Sequence, residues 1–191
     1  MLGYLYVADF GLAKFVKEGE MANSFCGTAE YLAPEMLIGN GHEYTVDWWA
    51  LGILIYEMIV GIPPFFHRNK HKMFHFIKEA KVNFPDPVKH KIAVSDDAKD
   101  LILRLLDKDK FTRLGANGVE EVLGHRWFAD LDMEALQAKK LDPPYVPSLS
   151  DDFAYFDQKL VQTADVAESI LPTEQKALIN AGQHNFAGFS S

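Results

Sequence analysis

The feature that most constrains the fold is the longest apolar run of the chain, Trp48 to Val60, which is interrupted only by Glu57. A helix built from residues 46–60 would be apolar on nearly every face. Such a helix is predicted to be buried all round, at the centre of a core, rather than to lie amphipathically on a surface. The run is too short to span a bilayer as a transmembrane segment.

Local signals set the ends of this helix and predict further elements. Thr45 is a plausible N-cap, and Gly61 followed by Pro63-Pro64 stops the helix. A second cap signal is Ser95, which precedes apolar residues at helical spacing up to Leu106. Weaker patterns predict a strand at Leu5, Tyr6 and Val7, a helix around Met73 to Ile77, and another helix from about Gly118 to His125. The chain is therefore predicted to be mainly α.

Composition excludes some classes of function. The chain has 191 residues and a net charge of −8, which argues against a general nucleic-acid binder because such proteins present a basic face. Its one cysteine, Cys26, excludes an internal disulfide framework and fits a reducing compartment. The first ten residues have no basic segment of the kind that begins a signal peptide. We therefore expect a cytoplasmic protein, or one that is also nuclear.

A short motif follows the predicted strand directly. In Asp9-Phe10-Gly11, an aspartate at a strand end can present its carboxylate to a hard cation, and glycine lets the backbone turn away at once. Alone the triplet is a weak signal, and the alternative is an acidic residue of a surface loop. A second triplet, Ala33-Pro34-Glu35, follows at a spacing typical of a kinase activation segment.

Between and beyond these triplets the sequence resembles one family closely. Residues 24–35 resemble the activation and substrate-docking loop of AGC protein kinases, the group of protein kinases A, B and C. The resemblance runs without a break from about Leu5 to Phe128 and includes Asp47 to Gly52, Gly61 to Phe65, Thr112 to Gly115 and His125 to Phe128. It implies a partial C-terminal lobe of a protein kinase, whose parent fold has two lobes and is α+β.

The last third of the chain resembles the AGC C-terminal tail. The matching segments are Pro143 to Pro147 and Tyr155 to Asp157, and Phe186 to Ser190 resemble its hydrophobic motif. The resemblance thus implies a partial kinase domain at residues 1–128 and a tail at residues 129–191. Its order and spacing are most similar to protein kinase B and its relatives.

The resemblance assigns three structural or metal-binding roles. Asp9 is expected to coordinate the Mg²⁺ that accompanies ATP. Glu35 and Arg113 are expected to form a buried bidentate ion pair that anchors the activation segment. Asp47 is expected to hydrogen-bond the backbone of the catalytic loop, or else to contribute only to the start of its helix.

It also assigns residues to the protein substrate. Thr28 is expected to contact the catalytic aspartate and to set a preference for Ser/Thr substrates. Glu57 and Glu30 are expected to face basic residues upstream of the phosphoacceptor, and a carboxylate in so apolar a run needs a partner or a cleft. The pocket for the residue after the phosphoacceptor is expected to be lined by Phe25, Ala29 and Leu32, with Ala29 in place of the usual proline.

Regulatory roles complete the resemblance. Ser24 occupies the position of the activating phosphate, where a phosphate would order the loop. Phe186 and Phe189 are expected to bind a groove of the N-terminal lobe or an upstream activating kinase. The remaining assignments are a phosphosite at Ser190, a weaker one at Ser169, and approach of Phe156 to the nucleotide.

Several parts of a working kinase do not occur in these 191 residues. The sequence has no glycine-rich phosphate loop, no strand lysine paired with a helix glutamate, and no His-Arg-Asp catalytic loop. Phosphoryl transfer depends on positioning and charge neutralisation by these groups. We therefore expect a truncated chain that is inactive alone. The alternative is a non-catalytic decoy or docking fragment that binds kinase substrates or an upstream kinase.

His67, His71 and His75 stand four residues apart, a spacing that places histidines on one face of a helix and can bind zinc. No acidic or cysteine ligand is patterned with them, so a solvent-facing stripe is the preferred interpretation. Cys26 is interpreted as a packed thiol, with a redox switch as the alternative.

Overall fold

A computed structural model describes residues 3–17 and 19–146 of the chain. Their regular secondary structure is almost entirely helical, as predicted. The α-helices are α1 (Pro34–Ile38), α2 (Thr45–Val60), α3 (Lys70–Glu79), α4 (Pro87–His90), α5 (Asp96–Leu105), α6 (Val119–Leu123) and α7 (Met133–Gln137), and short 3-10 turns occupy Ala29–Tyr31 and Arg126–Phe128.

Helix α2 lies at the centre of the core, as its apolar character predicts. Trp49 and Ile53 are fully buried, and α5 packs along α2. The two helices meet closely at Gly52, where an added Cβ would lie 2.9 Å from side-chain atoms of Leu105 and Leu106. Glycine at this position therefore sets how near the two helices can approach.

The predicted end of α2 is correct, but its predicted start is not. Gly61 ends the helix in the left-handed region at φ 91°, which glycine adopts without steric cost. Tyr44, not Thr45, is the N-cap, because its carbonyl already accepts from the backbone N–H of Asp47 at 3.0 Å. Thr45 is the first helical residue, and its buried hydroxyl makes no hydrogen bond within the described residues.

Helices α5 and α3 each begin at a side-chain N-cap. The hydroxyl of Ser95 accepts from the backbone N–H of Ala98 at 3.2 Å, as its sequence position predicts. Asn69 caps α3 in the same way by accepting from the N–H of Lys72. Each helix then buries one apolar side against the core.

The predicted strand at Leu5, Tyr6 and Val7 is wrong. All three residues are exposed and have no regular secondary structure. A strand needs a neighbouring strand to satisfy its backbone groups. The β-type pairing of the described residues is a single antiparallel bridge between Ala22 and His42.

The predicted helix at Gly118 to His125 is found as α6, whereas sequence reasoning missed α1, α4 and α7, each about one turn long. Helix α1 has proline at its first position, and α4 and α7 begin at side-chain caps formed by Asp86 and Asp132. These are start signals without the apolar repeat that identifies a longer helix.

The chain divides into two compact units. One is formed by Tyr6–Leu141 and holds all of the helices above; the other consists of Met1–Leu5 and Asp142–Ser191, of which residues 3–5 and 142–146 are described. Within the described ranges, no helix has both the length and the apolar character required to cross a bilayer.

Candidate functional site

The anchor of the site is a buried ion pair between α1 and the loop after α5. The two terminal nitrogens of Arg113 donate to the two carboxylate oxygens of Glu35, at 2.7 and 2.9 Å. The Arg113 side chain is fully buried and that of Glu35 is 11% exposed. This bidentate geometry is the arrangement that the family resemblance implies for these two residues.

Arg113 also holds backbone groups. Its Nε donates to the carbonyl of Asp107 at 3.0 Å, and one terminal nitrogen donates to the carbonyl of Thr45 at 3.0 Å. The guanidinium lies 5.2 Å from the ring of Trp49. A single side chain therefore joins the start of α1, the first turn of α2 and the loop after α5.

Lys108 is a second cation that lies close to the ring of Trp49, and sequence reasoning missed this contact. Its ammonium lies 3.8 Å from the ring centroid of Phe65 and 4.9 Å from that of Trp49, and it donates to the carbonyl of Ile77 at 2.6 Å. Burial, together with the nearby Arg113 charge, lowers the pKa of Lys108 to about 8. No local pattern around Lys108 signals this site, since its partners come from distant segments.

Glu57, the one carboxylate of the apolar run, has a specific partner. The hydroxyl of Tyr31 donates to Glu57 Oε2 at 2.5 Å. This hydrogen bond, with burial and the Glu57 charge adding to it, raises the pKa of Tyr31 to about 12. The sequence indicated that Glu57 needs a partner but not which one, because Tyr31 lies 26 residues away.

The segment around Ser24 is anchored by backbone hydrogen bonds just before the serine. Ala22 and His42 exchange two backbone hydrogen bonds, of 2.8 and 2.9 Å. Ser24 itself is exposed, whereas Cys26 is a free, half-buried thiol. Both line a cavity of about 510 Å³, whose walls also include Lys14, Thr28, Leu32, His42 and Asp47.

The residues expected to form one substrate pocket are only partly together. Leu32 is buried and lines the 510 Å³ cavity with Thr28. Phe25 is 60% exposed and lines a neighbouring cavity of about 310 Å³ instead. Ala29 packs against the core, and Glu30 is half-buried at the 3-10 turn. The structure therefore does not bring Phe25, Ala29 and Leu32 together around one cavity.

Asp47 lies in the first turn of α2 and borders the same 510 Å³ cavity. Partial burial raises the pKa of its carboxyl, and the nearby His42 opposes that shift. No side-chain cap bond forms at the start of α2, so Asp47 does not act there as an N-cap.

The described residues do not by themselves form a metal site. Asp9 has φ 61°, in the left-handed region, and its Oδ1 accepts from the backbone N–H of Gly11 at 3.2 Å. Aspartate tolerates this region because its short side chain can bond locally. Within the described ranges no cluster of three or more His, Cys, Asp or Glu residues could hold a metal. Asp9 thus offers one carboxylate, and a bound Mg²⁺ would need ligands from elsewhere.

The histidine stripe is only partly helical. His71 and His75 lie on α3, whereas His67 precedes it and accepts from the backbone N–H of Asn69.

The sequence-predicted sites of the tail lie outside the described residues: Phe156, Ser169, Phe186, Phe189 and Ser190.

Comparisons with known proteins show the family to which the chain belongs. A family model described as "Protein kinase domain" matches residues 2–128. The serine/threonine protein kinase ypkA of Aspergillus fumigatus is 40% identical, over 98% of this chain and 29% of its own length. The serine/threonine-protein kinase gad8 of Schizosaccharomyces pombe is 38% identical, over 98% of this chain and 32% of its own length.

A second kind of relative matches less of this chain. The cAMP-dependent protein kinase catalytic subunit PRKX of Mus musculus is 41% identical, over 90% of this chain and 48% of its own length. The chain therefore spans less than half the length of these three relatives.

Proposed function

Because this chain belongs to the protein kinase family, and within it to the AGC group of serine/threonine kinases, we propose that it provides the substrate-binding and regulatory part of an enzyme that phosphorylates Ser or Thr in basic peptides. Protein kinases use ATP and Mg²⁺. In the complete enzyme Asp9 is the proposed Mg²⁺ ligand and Phe156 the proposed nucleotide contact of this chain.

The observation that carries the substrate proposal is the bond between Tyr31 and Glu57. It fixes Glu57 Oε2, and Oε1 has no hydrogen-bond partner within the described residues. A half-buried carboxylate held in one orientation favours a guanidinium or ammonium group, because a charge-assisted bond is stronger where water is partly excluded. We therefore assign Glu57 to a basic residue upstream of the phosphoacceptor, with Glu30 as a second acidic contact.

Two further substrate roles rest on position. Thr28 is exposed beside the cavity, as a contact for the catalytic aspartate requires. Leu32, with Phe25 and Ala29, is proposed to receive the residue after the phosphoacceptor. Since these three do not border one cavity here, that pocket would have to form when the substrate binds.

Regulation is proposed to act through phosphates at Ser24 and Ser190, with a weaker site at Ser169. Ser24 is exposed and two residues from the bridge at Ala22, so a phosphate there would act on an anchored segment. Phe186 and Phe189 are proposed to bind the upstream activating kinase. We propose a cytoplasmic protein, with a protein that is also nuclear as the alternative.

The 191-residue chain alone is proposed to bind substrate without phosphorylating it. It contains no glycine-rich loop and no His-Arg-Asp catalytic loop. Phosphoryl transfer depends on those groups for positioning and for neutralising charge.

The test is to titrate the purified chain with a fluorescent peptide that has arginines upstream of a serine, and to add ATP and Mg²⁺ in a parallel transfer assay. We expect binding without phosphoryl transfer. Glu57→Gln should weaken binding about tenfold or more, since it removes a charge-assisted hydrogen bond. Glu134→Gln makes the same chemical change at an exposed carboxylate of α7 and should have no effect on peptide binding.

A peptide with alanine in place of the arginines should bind weakly to both variants and to the parent chain. If Glu57→Gln and Glu134→Gln bind the arginine peptide equally well, the assignment of Glu57 is wrong. Phosphoryl transfer by the purified chain would contradict the proposed inactivity.

A further inference from the structure

Helix α3 and the residues flanking it concentrate positive charge in an otherwise acidic chain. Between His67 and Lys81 the sequence has five Lys or Arg residues and one acidic residue, Glu79, whereas the whole chain has a net charge of −8. All five cations are exposed, on α3 or within two residues of its ends, and we call this group of residues the cationic face: Arg68, Lys70, Lys72, Lys78 and Lys81.

The cationic face is not neutralised by the described part of the molecule. The ion pairs among the described residues involve other cations: Lys99, Arg104, Lys110, Arg113, His125 and Arg126. Lys70 instead lies over the ring of Phe74, 5.6 Å from its centroid. Unpaired charges of one sign clustered along one short segment produce a positive potential that attracts a polyanion.

The packing of α3 determines what this face can contact. Met73 and Ile77 are buried in the core, so the apolar side of the helix is already occupied. The exposed side presents Lys72, Lys78 and the imidazoles of His71 and His75, together with the one acidic residue, Glu79. The outer surface of a helix is convex, so this face suits an extended anionic surface rather than a single anion held in a pocket.

An exposed aromatic ring lies beside the charges. Phe66 is 49% exposed, and the next residue, His67, packs edge-on against the ring of Phe76 on α3 at 5.7 Å. The loop therefore lies alongside the helix. An aromatic ring next to lysines is stabilised when it enters the headgroup region of a membrane, because that region accommodates both apolar and charged groups. The phosphates of duplex DNA would bind the cations but would leave the aromatic ring exposed to water.

We propose that the cationic face of α3, with Phe66 at its edge, binds an anionic lipid surface. Each lysine or arginine close to such a surface strengthens binding by roughly fivefold at moderate salt. The proposal goes beyond the proposed kinase function and does not depend on it, because the contact requires neither nucleotide nor peptide.

The experiment is cosedimentation of the full 191-residue chain with phosphatidylcholine vesicles that contain about one third phosphatidylserine, without nucleotide, against pure phosphatidylcholine vesicles. We expect binding to the anionic vesicles alone, weakening as salt is raised. Lys72→Glu with Lys78→Glu should reduce binding by about 25-fold or more, because two attractive charges become repulsive. The matched control is Lys139→Glu with Lys140→Glu, two exposed lysines after α7, which should retain binding.

Each other outcome overturns the proposal. Equal binding to both kinds of vesicle would show that charge is not what is recognised. Equal losses in the two double variants would show that net charge, rather than this face, governs binding. Absence of vesicle binding, with binding of duplex DNA that Lys72→Glu with Lys78→Glu abolishes, would assign the face to nucleic acid. Absence of both would leave it without a polyanionic partner.

Discussion

Replacement of Arg113 by alanine is expected to be the most destabilising single change at the anchor of the site. The fully buried guanidinium donates four hydrogen bonds, two to the Glu35 carboxylate and one each to the carbonyls of Asp107 and Thr45. Arg113→Ala leaves a nearly buried carboxylate without a counter-charge. Breaking such a pair from one side typically costs about 3–5 kcal/mol of unfolding free energy.

The assay is urea denaturation followed by circular dichroism, with Arg126→Ala as the matched control. Arg126 forms an ion pair with Asp97 at 2.6 Å, but the two side chains are 59% and 49% exposed. Solvent screens such a pair, so its loss should cost at most about 1 kcal/mol. Both changes remove the same atoms, so the comparison sets a buried arginine with several hydrogen bonds against an exposed one.

A double variant tests the pair itself. Arg113→Ala with Glu35→Ala removes the stranded carboxylate, so its destabilisation should fall short of the sum of the single effects by about 1 kcal/mol or more. The two carbonyls remain unpaired in both cases, and each costs about 1–3 kcal/mol. Equal losses in Arg113→Ala and Arg126→Ala, or strict additivity in the double variant, would refute the reasoning.

Two further changes test the core. Because burial holds the pKa of Lys108 near 8 rather than at its ordinary 10.5, the folded state releases this proton before the unfolded state does, so stability should rise between those pH values. Lys108→Met should flatten that rise in pH-dependent denaturation. An unchanged slope would mean that the rings of Phe65 and Trp49 keep the ammonium protonated. Gly52→Ala should cost about 1–3 kcal/mol in urea denaturation, since its Cβ would meet Leu105 and Leu106 at 2.9 Å; an unchanged midpoint would contradict this.

The sequence was most informative where one segment determines its own structure. The apolar length of residues 46–60 predicted a buried helix, and Gly61 predicted its end, because both depend on local chemistry. Ser95 predicted the start of α5 for the same reason. The family resemblance went further, since it paired Glu35 with Arg113 across 78 residues.

What the sequence could not provide depends on partners far along the chain. The apolar residues Leu5 to Val7 resemble a strand, but a strand forms only where another strand pairs with it. The hydroxyl that holds Glu57 and the aromatic rings around Lys108 are brought close only by packing of the core. Thr45 failed as a cap because Tyr44 starts the turn one residue earlier.

The bridge between Ala22 and His42 limits the reach of Ser24. A chain covers at most about 3.6 Å per residue, so the Cα of Ser24 can lie no more than roughly 7 Å from that of Ala22, which the two hydrogen bonds fix beside His42. An enzyme that added the proposed phosphate to Ser24 would therefore have to bind a short loop that is anchored close to the serine, rather than a long extended segment. Opening the bridge would lengthen the tether, and so would change which enzymes can reach the hydroxyl.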